Sequence, residues 1–142
     1  MKYGIIANPV SGKRSVDEKL RILNEVAGIL KDTTIAGLDT TSPEEFSRCA
    51  HELSQKVETL VVAGGDGTFS LVMNNVSRDI PLAFLPFGSG DVLRHTFSLP
   101  RCPKENARLI QKGTEHLLDV ICCDGDKKAL FASIGIEGSI LL

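Results

Sequence analysis

LVVAGGDGTFS, Leu60 to Ser70, is the stretch on which the fold turns. Leu60 to Ala63 is an unbroken apolar run, the pattern of a strand covered on both faces. Gly64, Gly65 and Gly67 then break it. Glycine loses more conformational freedom on folding than any other residue, so three of them in four positions mark a place that needs main chain without side chains. Phe69, Val72, Met73 and Val76 resume at helical spacing,. Strand, glycine turn and helix together make one βα unit.

The same alternation extends in both directions. Toward the N-terminus, Tyr3 to Ala7 reads as a strand that ends at Asn8-Pro9, because proline forces the residue before it into extended backbone,. A helix follows, with Val16, Leu20, Leu23, Ala27 and Leu30 as its apolar spacing and Asp17 and Glu18 in its first turn,. TTIAGLD is a second strand. Ser42 then caps a second helix with Pro43 at its first position, Glu45 at the capping-box position, and Phe46, Cys49, Leu53 and Val57 on one face,. Toward the C-terminus, PLAFLP is a fourth strand, GSGDVLRHTF passes from loop into helix, and a further helix over Lys104–Gln111 stops at Gly113. Strands alternating with helices predict a three-layer α-β-α fold on a mostly parallel sheet. LLDVICC and KALFASIGI flank Asp124-Gly125 and predict a hairpin, the start of a β-rich domain that the chain does not complete,. The expected division is 1–118, a nucleotide-binding α/β domain, and 119–142, the hairpin. A lone hairpin is marginal in water, so it should add to the first sheet or pair with a second copy, giving a homo-oligomer.

Composition narrows the function classes. The net charge of -2 gives no electrostatic case for nucleic acid,. No apolar run approaches the roughly 20 residues of a transmembrane helix, and the N-terminus lacks a secretory signal. The expected location is cytoplasmic, with peripheral membrane attachment left open. Cys49, Cys102, Cys122 and Cys123 form no C-x-x-C pair and read as reduced, mostly buried thiols,.

In an open parallel sheet, ligands bind beyond the carboxyl ends of the strands. Three loops meet there: NPVSGK, GGDGT and PFGSGD. Small residues, bare amides and helix N-termini on one rim suit a phosphate. Asp66 needs a separate role, since a carboxylate repels phosphate. It can cap the third helix, bridge through Mg²⁺, or accept a proton from an attacking hydroxyl. The bland alternative is a glycine turn with a capping aspartate and no ligand. Standard phosphate motifs fail: Arg14 follows Gly12-Lys13 where a P-loop needs Ser or Thr, and Leu93 holds the third glycine position after Gly88 and Gly90,.

In this order the three loops resemble the N-terminal catalytic domain of the diacylglycerol kinase, sphingosine kinase and NAD kinase superfamily. NPVSG is similar to its N-P-x-S-G element, GGDGT to its central signature, PFGSGD to its P-x-G-[ST]-x-N-D element, and ASIGIEG to the strand opening its β-rich domain. N-P-x-S-G favours the bacterial lipid-kinase branch. The resemblance implies ATP and Mg²⁺ as cofactors, and transfer of the γ-phosphoryl group to a lipid hydroxyl bound by a C-terminal domain outside these 142 residues. The isolated chain is therefore expected to be inactive. By position, Asn8, Ser11, Gly12, Lys13, Thr40, Gly64, Gly65, Asp66, Gly67, Thr68, Gly88 and Ser89 would meet nucleotide, Asp66 would bind Mg²⁺ beside its candidate catalytic role as proton acceptor, and a further catalytic acidic residue would come from the C-terminal domain. Asp91-Val92 replaces the family's Asn-Asp, and Leu71 stands where the family often has Glu, off the apolar face of its helix. Those departures keep a non-catalytic nucleotide-binding module, or an NAD kinase-like enzyme, as alternatives.

Overall fold

The computed structural model describes residues 2–88 and 92–132. Four strands, β1 (Tyr3–Ala7), β2 (Thr33–Ala36), β3 (Thr59–Gly64) and β4 (Leu82–Pro86), form one sheet in the order β2-β1-β3-β4. Every pairing in it is parallel, and β1 and β3 run in register from Tyr3↔Thr59 to Ala7↔Ala63. The chain steps from β1 outward to β2, then crosses back over β1 to β3. The direction of winding therefore reverses between β1 and β3, and a crevice opens between their carboxyl ends.

Residue alternation along the strands builds two cores. Tyr3, Ile5, Ala7, Val61, Ala63 and Leu85 face one side and pack with Leu23, Val26 and Leu30 of α1 (Val16–Leu30) and Ala107 of α5 (Pro103–Lys112). Ile6, Leu60, Val62 and Phe84 face the other side, against Phe46, Ala50 and Leu53 of α2 (Pro43–Ser54) and Phe69, Val72 and Met73 of α3 (Asp66–Asn75). This is the three-layer α-β-α arrangement expected. The run from Leu60 to Ala63 is buried on both faces, as its lack of alternation predicts,.

Local chemistry sets the helix ends. Ser15 and Glu18 close a reciprocal capping box on α1,. Ser42 caps α2 with Pro43 behind it, and Gly113 ends α5 in left-handed backbone,. The buried stripe of α1 differs from the expected one. Lys19, Leu23, Val26 and Leu30 face inward, whereas Val16 and Leu20 are exposed.

The C-terminal hairpin, β5 (Ile121–Cys123) and β6 (Lys127–Ala129), is antiparallel as predicted but shorter. Among the described residues it does not join the parallel sheet. It leans on α3 instead: the Asn74 side chain donates to the Lys128 carbonyl at 2.9 Å and accepts from the Lys128 amide at 2.7 Å. Burial of the thiols is a second correction. Cys49 is half-buried, and Cys102, Cys122 and Cys123 are exposed, because the N-terminus of α5 and the hairpin lie outside both cores. No helix among the described residues is long and apolar enough to cross a membrane.

Candidate active site

The loops after β1, β3 and β4 converge at the crevice. The Gly64 carbonyl accepts from the Phe87 and Gly88 amides at 2.8 and 3.1 Å, and the Asn8 amide donates to the Ala63 carbonyl at 3.0 Å. Glycine is what allows the approach. A Cβ on Gly88 would lie 2.3 Å from the Gly65 Cα, and one on Gly12 would lie 2.0 Å from the Phe87 carbonyl oxygen. Gly12 also holds φ at +68°, where other residues are strained,. Gly67 is different. Nothing would meet its Cβ within 4 Å, so packing gives no reason for a glycine in the first turn of α3.

Hydrogen bonds then sort the hydroxyls. Ser11 Oγ donates to the Asn8 carbonyl at 3.1 Å, and Thr40 Oγ1 donates to the Gly37 carbonyl at 2.7 Å. Both protons are used within their own loops. Thr40 follows the edge strand β2, and both its amide and its hydroxyl donate to the Gly37 carbonyl within its own loop. Thr68 is buried, and its Oγ1 accepts from Asn8 Nδ2 at 2.9 Å. Lys13 is exposed at the rim. Arg14 stacks over the Phe87 ring, 5.4 Å from its centroid. Ser89 and Asp91 lie outside the described residues, as do residues 133–138 of ASIGIEG.

Asp66 opens α3 but does not cap it; Gly65 holds the N-cap position and no side chain closes that helix end. The first-turn amides therefore have no intrahelical acceptor. The Asp66 carboxylate reaches forward to α4 (Val92–Thr96), accepting from the Val92 and Leu93 amides, each at 3.2 Å. Among the described residues no cluster of three His, Cys, Asp or Glu side chains could hold a metal. One carboxylate still suits Mg²⁺, which binds through one or two carboxylates together with substrate phosphates. Leu71 is half-buried against the α2/α3 core, so packing does account for it, contrary to the expectation from spacing.

Lys19 was not anticipated. It is 2% exposed, and its ammonium donates to the Asn8 carbonyl at 3.1 Å and the Pro9 carbonyl at 2.6 Å. The available signal was its spacing from Leu23, Val26 and Leu30. Burial lowers its pKa, and the Arg14 charge pushes it the same way. Between that lowered value and about 10.4, the ordinary value for lysine, the unfolded chain binds the extra proton, so stability should rise with pH there. Urea unfolding of the wild type and Lys19→Met across the alkaline range tests this. The wild type should gain on the variant as pH rises; parallel curves would contradict the burial of a charged lysine.

The family model described as the Diacylglycerol kinase catalytic domain matches residues 2–123. The chain belongs to the diacylglycerol kinase catalytic domain family. The chain is 32% identical over 121 residues to the mitochondrial acylglycerol kinase of Xenopus laevis, covering 72% of this chain and 28% of that protein. It is 31% identical over 130 residues to sphingosine kinase B of Dictyostelium discoideum, covering 84% and 17%. Among solved structures, a diacylglycerol kinase from Bacillus anthracis str. Sterne superposes with a TM-score of 0.70 at 28% identity, covering 84% of this chain and 42% of that one. The chain thus spans under half the length of each of these proteins.

Proposed function

We propose that this domain is the nucleotide-binding half of an ATP-dependent lipid kinase. The carrying observation is the main-chain contact of the three glycine loops at the β1/β3 crevice, beside the uncapped N-terminus of α3. Such a helix end offers bare amides and partial positive charge to an anion. Gly65, Gly67 and Thr68 would meet phosphate oxygens from α3, with Asn8, Ser11, Gly12 and Lys13 on the facing loop. Gly64 has a supporting role, since a Cβ there would lie 2.6 Å from Thr68 Oγ1. The Gly88 amide is already used within the fold, so Gly88 contributes close approach, with Ser89 beyond it. Mg²⁺, held by Asp66 and the phosphates, would offset charge on the transferring group. Thr40 is carried by the family resemblance alone, and the Asp66 proton-acceptor role by the chemistry of a carboxylate at this rim.

In-line transfer to a lipid hydroxyl asks mainly for positioning and charge stabilisation. The acceptor site would come from a β-rich unit beginning at the 119–142 hairpin, with 1–118 as the nucleotide unit. The second reading is a nucleotide-binding module without transfer. Both Asp66 oxygens are engaged by α4 amides, and Leu71 is packed, which favours it.

Thermal unfolding with Mg·ATP and Mg·ADP tests nucleotide binding, because a ligand that binds only the folded state raises the melting point. A rise at about millimolar nucleotide is expected, of roughly 2.7 kcal/mol in stability at a hundredfold excess over Kd. An unchanged melting point would remove the nucleotide assignment. Asp66→Asn keeps an acceptor for α4 and removes the charge. It should weaken Mg·ATP binding and leave Mg²⁺-free ATP binding unchanged or tighter. Equal losses with and without Mg²⁺ would restrict Asp66 to holding α4.

A further inference from the structure

Lys19 occupies a core position on α1 that packing alone would give to an apolar residue. Among the described residues its ammonium has main-chain carbonyls as partners and no carboxylate. A buried cation is expensive unless its environment answers it, so its retention calls for a task. Its hydrogen bonds indicate one. The Pro9 carbonyl turned toward Lys19 leaves the Val10 amide of the same peptide unit pointing away, as a trans peptide requires. That amide donates to Asn8 Oδ1 at 3.0 Å. With Oδ1 fixed as the acceptor, Asn8 Nδ2 must face Thr68 Oγ1, to which it donates at 2.9 Å,. Thr68 Oγ1 is thereby the acceptor of that bond, and its own proton has no acceptor among the described residues.

We propose that Lys19 is a positioning residue: it orders a one-way chain of donors, from its ammonium through the Pro9–Val10 peptide and the Asn8 amide to Thr68, which keeps the Thr68 hydroxyl a donor toward a phosphate oxygen of the nucleotide. The inference rests on the nucleotide assignment above. It reaches across the crevice from α1 to α3, so it joins two of the three loops through bonds that each polarise the next. Burial of the ammonium, with the Arg14 charge beside it, lowers the Lys19 pKa, in keeping with a cation that has no acidic partner.

A double-mutant cycle on the 142-residue chain tests it, with Mg·ADP as the probe and calorimetry as the readout. Lys19→Met keeps length and apolar packing, and Thr68→Val keeps shape without the hydroxyl. Each single variant should bind Mg·ADP about tenfold or more weakly, as expected for the loss of a hydrogen bond to a charged group. The double variant should bind no more weakly than Thr68→Val alone. Additive losses would show that Lys19 merely stiffens the loop and would overturn the relay. Unchanged binding by Lys19→Met would overturn it too, while leaving nucleotide binding by the wild type intact. Failure of the wild type to bind would instead remove the nucleotide assignment, and the relay with it. Should Lys19→Met not fold, Lys19→Gln retains a donor without charge and should bind Mg·ADP close to the wild type; a loss that adds to that of Thr68→Val would overturn the relay.

Discussion

Gly88→Ala is expected to weaken Mg·ATP binding by about a hundredfold and to destabilise the fold by roughly 1–3 kcal/mol. The new Cβ would sit 2.3 Å from the Gly65 Cα and 3.0 Å from the Gly65 amide nitrogen. Carbon atoms rest about 3.5–4.0 Å apart, so the two loops must part by more than about 1 Å. Both obstructing atoms are main chain, and no side chain can swing aside. The displacement falls across the crevice, where about 1 Å of misplacement is known to be severe. Gly67→Ala is the contrast. Space is open there, and alanine favours a helix over glycine by up to about 1 kcal/mol, so the variant should be at least as stable as the wild type,. It should still bind nucleotide more weakly, because a methyl would stand where phosphate approaches. Calorimetry and urea unfolding on the two variants separate packing from ligand approach. Full binding by Gly67→Ala would leave that glycine without a role.

Phe69→Ala should lower stability by about 3–5 kcal/mol, a large share of the 5–15 kcal/mol typical of a domain. Phe69 is buried one turn into α3 and meets Phe84 of β4 edge-on, with ring centroids 5.4 Å apart, and Phe97 at 6.4 Å. Such edge-to-face pairs add to the area buried. The ring therefore pins the first turn of α3 to the sheet, directly behind the glycine loop. Denaturant unfolding measures the effect, and a loss below about 1 kcal/mol would mean that α3 is held by something other than this ring.

What could be read from the residues follows from how local each cause is. The Leu60–Ala63 run, the Ser42-Pro43 helix start and the Gly113 stop are set by neighbours in sequence, and each stands as expected. Convergence of the loops was legible because a parallel sheet puts every βα turn on one edge. Contacts between distant residues were not. Asp66 caps a helix that starts 26 residues away, and no local pattern distinguishes that from capping its own helix. Gly88 could be read as flexible; that it touches Gly65 depends on the register of β3 against β4. Lys19 was hidden by chemistry. Apolar periodicity ignores lysine, and Val16 and Leu20 offered a neighbouring stripe that the structure leaves exposed.

The central claim is that the main chain at the β1/β3 crevice seats a polyphosphate. Backbone amide NMR of the chain, titrated with Mg·ATP, tests it residue by residue. The largest shifts should fall on the amides of Asn8, of residues 10–13 and of residues 65–68, with smaller ones at 87 and 88, and the strands' opposite ends should stay still. Shifts confined to other surfaces, or no shifts at millimolar Mg·ATP, would contradict it.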